Sequence, residues 1–325
     1  MSRTSGHPKV VITNNVHPDT EAYLQTFCDP ILNSDPEPLC REDLLSTCAD
    51  AEGMMVFMND HVDASFLKHC PHLRIISAAL KGYDNFDLEA ISARNIQLKH
   101  IDDLLTVPTA ELVLGLMITL ARNVLAGDSQ IRENAFNGWR PILYGIGLEG
   151  ETACILGMGK VGRTLATRLV ACGMRVRYTD QTRLPKDREA HLGVEYCDFE
   201  EALETATFLI PLLPLVPATT HMIDKKALEK MPTGSFLINC CRGSVVKESD
   251  VADALESGQL GGYAADVFEM EDWALESRPR VIDPNLLRLK DRTVFTPHLG
   301  SAVKRVRREI SLQAALNLEL FFQQD

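Results

Sequence analysis

Cys154-Ile155-Leu156-Gly157-Met158-Gly159-Lys160-Val161-Gly162 decides the fold of this 325-residue chain. An apolar run leads into a G-x-G-x-x-G turn, and a helix-like pattern leaves it. Each glycine answers a different need. Gly157 permits a tight turn, Gly159 keeps a Cβ away from an approaching pyrophosphate, and Gly162 lets the helix lie close on its strand. The free N–H groups of that helix's first turn attract phosphate. A bare glycine pattern is weak, so its context carries the reading. Residues 152–156 are β-like, and Val161, Leu165 and Leu169 recur at helical spacing. A second β-like run, 174–179, ends at Asp180, about twenty residues past the glycines, where an acceptor for the ribose hydroxyls belongs. The stretch predicts a dinucleotide-binding β–α–β unit.

Outward from this unit the alternation continues. Strands are expected to end near Asp180, Leu213, Asn239, Asp266 and Thr296, which gives a parallel sheet with helices on both faces. Upstream, 10–13, 54–58 and 73–78 read as strands, with helical patterns over 42–48 and 63–68. Pro108 and Glu111 mark the start of a long helix that runs to about Arg122 and is expected to cross between domains. The loop-like segment 136–147 holds Trp139 and Tyr144. A last helix over 302–322 is too short for a domain of its own and is expected to return to the first. The fold class is α/β, with two Rossmann-like domains of doubly wound parallel sheet. Residues 1–104, joined by 302–325, are expected to form a substrate-binding domain. Residues 105–301 are expected to bind NAD, with the active site in the cleft between the two.

The charge balance is 33 Lys and Arg against 45 Asp and Glu, a net −12, which argues against nucleic-acid and anionic-membrane partners. Nine cysteines are scattered without C-x-x-C or zinc spacing. They read as reduced thiols of a cytoplasmic protein, with no metal site. Residues 1–7 are polar and lack the apolar core of a signal peptide. The most apolar helix-like run, 112–121, is too short to span a bilayer and reads as a buried helix.

Ligands of such sheets bind at the carboxyl ends of the strands. Arg242, Glu271 and His298 each follow an expected strand end. Taken singly, each has an ordinary reading as a surface or loop residue. Taken together, they supply a fork for an oxyanion, a carboxylate to orient an imidazole, and a base that works near neutral pH. Asp180 repels a 2′-phosphate and so favours NAD, while Arg183, three residues on, leaves some use of NADP open.

The motifs Gly157 to Gly162, Cys241-Arg242-Gly243-Ser244-Val245-Val246, Ala265-Asp266-Val267-Phe268-Glu269 and Thr296-Pro297-His298-Leu299-Gly300 resemble those of the D-isomer-specific 2-hydroxyacid dehydrogenases. The resemblance covers nearly the whole chain. It implies Arg242, Glu271 and His298 as the catalytic set. It also implies NAD contacts from Gly157, Gly159, Lys160, Val161, Gly162, Asp180, Thr109, Pro214, Cys241, Asp266, His298 and Gly300. Formate dehydrogenases of this superfamily pair their histidine with glutamine, so Glu271 counts against formate. The resemblance further implies a homodimer packed through the nucleotide domain. Relatives continue past the last helix whereas this chain stops at Asp325, which fits either a truncation or a short natural tail.

Segments 79–87, 103–111 and 262–273 more closely resemble the branch of that family that oxidises phosphite to phosphate. That resemblance implies a phosphite site lined by Lys81, Gly82, Arg242, Arg307, Met58, Trp139 and Tyr144. Charge supports the idea separately: a monoanionic carboxylate needs one cation, whereas Lys81, Arg242 and Arg307 together suit a compact dianion. NAD-dependent phosphite oxidation is therefore the first expectation. A dehydrogenase for a glycerate- or lactate-like 2-hydroxy acid is the second. An NAD-sensing, corepressor-like binding protein is the rival from another class, and retention of all three catalytic residues argues against it.

Overall fold

The computed structural model describes residues 6–35, 37–101 and 103–324. Residues 1–5, part of the polar start of the chain, lie outside the described residues. The chain divides into two compact units. One comprises residues 1–105, 273–276 and 302–325, and the other 106–272 and 277–301.

The smaller unit is built on strands β1 (Lys9–Ile12), β2 (Asp29–Leu32), β3 (Gly53–Val56), β4 (Ile75–Ala78) and β5 (Gln97–His100). All are parallel, in the order β2-β1-β3-β4-β5. Successive side chains of a strand face opposite sides, and both sides are covered here. Val11, Met54 and Ile76 join a core with Leu44, Phe66 and Ile91. Val10, Ile12, Met55 and Ile75 join another with Ile310, Ala314 and Leu318 of the helix Lys304–Phe322. Strands β1, β3 and β4 were legible as apolar runs. The edge strands β2 and β5 were not: β2 carries Pro30, and neither strand has a buried residue in its pattern. Short edge strands are where apolar signal is weakest and proline is tolerated.

The larger unit holds β6 (Thr152–Leu156), β7 (Arg175–Thr179), β8 (Val194–Tyr196), β9 (Phe208–Pro211), β10 (Ser235–Asn239), β11 (Leu260–Ala265) and β12 (Thr293–Phe295). They form one parallel sheet in the order β12-β11-β10-β9-β6-β7-β8. The chain reverses direction across the sheet between β6 and β9. That is the switch point at which a doubly wound sheet opens a crevice beyond its carboxyl ends. Cys154 and Leu156 face one core, while Ala153 and Ile155 face the other.

The long helix runs over Thr106–Ala121. Pro108 falls in its first turn, where a missing N–H costs nothing. With the 3-10 turn before it, this helix makes a 19-residue stretch of mean hydropathy 1.9, by length and composition enough to cross a membrane. The expectation of a run too short to span is corrected to that extent. Its apolar character has another use, because Val113, Leu116, Met117 and Leu120 are buried in the core of the large sheet.

Candidate active site

The glycine loop meets the geometry of a dinucleotide cradle. Gly157 adopts φ +101°, and a Cβ there would lie 2.6 Å from the Leu212 carbonyl oxygen. A Cβ on Gly162 would lie 2.3 Å from the Gly157 oxygen. At Gly159 nothing stands within 4 Å of the Cβ position, so the loop is open on the side where a pyrophosphate would approach. Lys160 and Val161 open the helix Lys160–Ala171 that follows. Asp180, just past β7, turns its carboxylate to the loop: Oδ2 accepts from the Met158 N–H at 2.6 Å and Oδ1 from the Thr182 N–H at 3.3 Å. These residues fit NAD. Its pyrophosphate would take the helix N-terminus and its ribose the Asp180 carboxylate.

Arg183 is engaged elsewhere. Its Nε and Nη2 donate to the two oxygens of Glu189 at 2.8 and 2.9 Å, and the guanidinium lies 5.1 Å from the Tyr196 ring centroid. That fastening works against the use of NADP left open by its position in the sequence. Asp180→Ala is expected to narrow the preference for NAD over NADP by about tenfold, the equivalent of about 1.4 kcal/mol. The ratio of kcat/KM for the two cofactors reads it. An unchanged ratio would mean that the carboxylate does not meet the ribose.

The catalytic candidates converge because three neighbouring strands end level. Asn239 of β10 pairs with Ala265 of β11, and Ala265 pairs with Phe295 of β12. Arg242 lies three residues beyond the first strand, Glu271 six beyond the second and His298 three beyond the third. His298 Nδ1 stands 2.7 Å from Glu271 Oε2, with both side chains 29% exposed and so open to a substrate. Glu271 Oε1 accepts from the Phe268 N–H at 2.8 Å, which fixes the carboxylate. An ionised carboxylate only accepts, so Nδ1 carries the proton and Nε2 is left for the reacting proton.

The sequence missed what holds this arrangement. His298 has φ +54°, a left-handed conformation that is unusual for a side chain of its size. Buried Asp266 enforces it. Its Oδ1 accepts from the Thr296 hydroxyl at 2.5 Å and the Leu299 N–H at 2.6 Å, and its Oδ2 accepts from the Gly300 N–H at 2.8 Å. Burial pushes the Asp266 carboxyl upward, against the pull of those bonds. Thr109, Asp266 and Gly300 are thereby brought together: the Thr109 hydroxyl donates to the Gly300 oxygen at 3.4 Å, and a Cβ on Gly300 would stand 3.3 Å from Asp266 Oδ2. Asn239 does similar work for Arg242. Its amide donates to the Arg242 oxygen at 2.9 Å and its carbonyl accepts from the Cys241 N–H at 3.2 Å. Arg242 Nη1 donates to the Cys241 oxygen at 2.8 Å. Cys241 is buried, which pushes its thiol up to about 11. Pro214, three residues past β9, accepts at its carbonyl from the Thr219 hydroxyl at 2.6 Å.

Met58, Lys81 and Arg307 gather at the carboxyl edge of the small sheet. Val56 of β3 and Ala78 of β4 are partners, and Met58 and Lys81 follow two and three residues on. The Arg307 guanidinium lies 5.8 Å from the ring centroid of Phe57, and burial pushes its pKa down. Lys81 itself is exposed. The turn that carries it is backed by His100, which the sequence reading overlooked. That imidazole bonds to the Gly82 backbone and packs on Tyr83 at 4.0 Å and Phe86 at 5.6 Å. Burial, then the Lys81 charge, push its pKa down. Trp139 and Tyr144, also expected at the site, are largely exposed. They are 82% and 77% exposed, in a stretch, 131–145, whose every residue is exposed.

The family described as the D-isomer specific 2-hydroxyacid dehydrogenase NAD-binding domain matches residues 114–300. A glyoxylate reductase of Thermococcus litoralis is 34% identical over 319 residues, 97% of this chain and 93% of that protein. A glyoxylate reductase of Aeropyrum pernix is 32% identical over 97% of this chain and 93% of its own length. Among solved structures, a Polaromonas sp. JS6 66 protein assigned to the same family superposes with a TM-score of 0.87 at 28% identity, covering 98% of each chain.

Proposed function

Because the chain belongs to the D-isomer-specific 2-hydroxyacid dehydrogenase family, we propose that it is an NAD-linked dehydrogenase that interconverts a small 2-hydroxy acid, of the glycolate class, and its 2-oxo acid. The observation that carries this reading is the 2.7 Å contact between His298 Nδ1 and Glu271 Oε2. When bound, NAD supplies the acceptor, or in reverse the donor, of the hydride. The protein's part is to hold the anion and move the proton. Arg242 holds the carboxylate in its fork. His298 Nε2 takes the hydroxyl proton in oxidation and returns it to the carbonyl oxygen in reduction. Glu271 offsets the charge of the imidazolium that forms. Relatives that are glyoxylate reductases support this substrate class.

Those names reverse the order in which the sequence ranked its two substrates, and phosphite becomes the second reading. A specific observation favours it: the small unit presents Lys81 and Arg307 at one sheet edge, more cation than a monoanionic carboxylate needs. On this reading His298 Nε2 takes a proton from the water whose oxygen bonds to phosphorus, while the P–H bond breaks and its hydride would pass to NAD. Lys81→Ala separates the two readings. A charge-assisted bond to a dianion is worth about 1.5–3 kcal/mol, so kcat/KM for phosphite is expected to fall about 10- to 100-fold while that for glycolate changes little. A large loss with glycolate and none with phosphite would remove Lys81 from the argument.

The protein would act as a homodimer. The helix Val124–Arg132 buries none of its residues, and Phe136, Trp139, Ile142 and Tyr144 beyond it are exposed. An apolar surface of that extent suits a partner copy.

A further inference from the structure

Behind the triad, two buried carboxylates tie its loops together. The loop after β10 carries Arg242, passes through a 3-10 turn over Gly243–Val245 and enters the helix Glu248–Ser257. The loop after β11 carries Glu271 at the end of a second 3-10 turn, Glu269–Glu271. The Glu248 N–H donates to Glu269 Oε1 at 2.8 Å, and the Glu269 N–H donates to Glu248 Oε1 at 2.7 Å. Each residue's amide is thus held by the other's carboxylate. Glu248 is 2% exposed and Glu269 8%.

The bridge has further members, one of them on the loop that follows β9. His221 Nε2 lies 2.9 Å from Glu269 Oε2, and the His221 N–H donates to the Ser244 oxygen at 2.6 Å. The Ser244 N–H donates to Asp272 Oδ2 at 2.6 Å, so the glutamate loop is held on its far side as well. The Asp283 N–H donates to Glu248 Oε2 at 3.3 Å. Gly243 leaves the loops in backbone contact, since a Cβ there would lie 1.9 Å from the Phe268 carbonyl carbon.

Two acids in a low-dielectric site are costly unless every oxygen is bonded. The cost is visible at Glu248, where burial pushes the carboxyl up to about 7 against the pull of the hydrogen bonds from the Glu269 and Asp283 amides. What the arrangement achieves is position. Glu269 lies two residues before Glu271, whose carboxylate meets the imidazole of His298. Glu248 closes the loop that begins at Arg242. A fully bonded buried network fixes one geometry where an apolar contact would allow several.

We infer that Glu248, Glu269 and His221 are positioning residues for the reaction, forming a reciprocal bridge that holds the Arg242 loop and the Glu271 loop in register. The inference rests on the reaction proposed above. None of the three touches the reacting atoms.

The test compares Glu269→Ala, Glu269→Gln and His221→Ala. It measures kcat, KM for whichever anion the unaltered protein turns over, the Kd for NAD by fluorescence, the Tm, and the proton resonance of His298 Nδ1, identified by its loss in His298→Ala. A displacement of about 1 Å costs up to about 100-fold in rate. Glu269→Ala is therefore expected to lower kcat about 10- to 100-fold, to shift or broaden the Nδ1 resonance, and to leave the Kd for NAD within about twofold, because that ligand's phosphates bind at the other loop. Glu269→Gln restores most of the rate, since its amide oxygen still accepts from the Glu248 N–H. His221→Ala lies between the two. The bridge is overturned by a Glu269→Ala protein with an unmoved resonance and a kcat within twofold of the original. It is equally overturned by a lowered Tm with full activity in the folded protein. Should the unaltered protein turn over neither a 2-hydroxy acid nor phosphite, the proposed function fails, and the resonance alone decides the bridge.

Discussion

Replacing His298 with alanine is expected to lower kcat by about 10²- to 10⁴-fold, the range that a positioned acid–base group contributes. Binding of NAD should persist, because the glycine loop and Asp180 lie at the other end of the dinucleotide site. Glu271 Oε1 is taken by the Phe268 N–H, and Oε2 takes the Nδ1 proton of His298. Nε2 is then the atom left for a reacting proton. Glu271→Gln should cause a loss of similar size, up to about 10⁴-fold, since an amide can present its N–H to Nδ1 and favour the wrong tautomer. Single-turnover rates with a dinucleotide absorbance readout measure both. A His298→Ala enzyme with near-normal turnover would assign the proton transfer to another group.

Arg242→Ala is the second large effect, with kcat/KM expected to fall about 100-fold or more. Arg242→Lys should recover little of it. A lysine keeps the charge but loses the planar fork that holds two oxygens at once. The position itself is well fixed, by Asn239 across the turn and by the backbone contact of Gly243 with Phe268. The loss should therefore appear as lost anion binding and lost rate, with no change in Tm beyond about 1–2 °C. A lysine variant with full activity would show that charge alone suffices.

What the sequence made legible were features that depend on the local backbone. The glycine loop was readable because Gly157 and Gly162 answer steric demands that no other residue meets, and those demands are visible as the 2.6 and 2.3 Å approaches in the structure. Arg242, Glu271 and His298 were readable because they follow apolar strands. That they meet depends on the level register of β10, β11 and β12, which spacing alone does not give. The supports were hidden for a different reason. Asp266 reads as an acid in a motif, and only the folded loop shows its carboxylate taking up Thr296, Leu299 and Gly300. Glu248 and Glu269 look like a helix-start acid and a loop acid until their amides are seen to cross. Arg183 looked available for a 2′-phosphate until Glu189 was found holding it in two bonds. Edge strands β2 and β5 lack the buried alternation that marks their neighbours.

Oxidation of a small oxyanion with NAD through His298 is what we propose for this chain. The most direct measurement is NADH formation from NAD with glycolate, lactate, glycerate, formate and phosphite offered separately, run beside His298→Ala. Turnover is expected with a 2-hydroxy acid, or with phosphite on the second reading, and its loss by about two orders of magnitude or more in the variant. NAD binding without turnover of any of these anions would contradict the account and leave a protein that senses the dinucleotide.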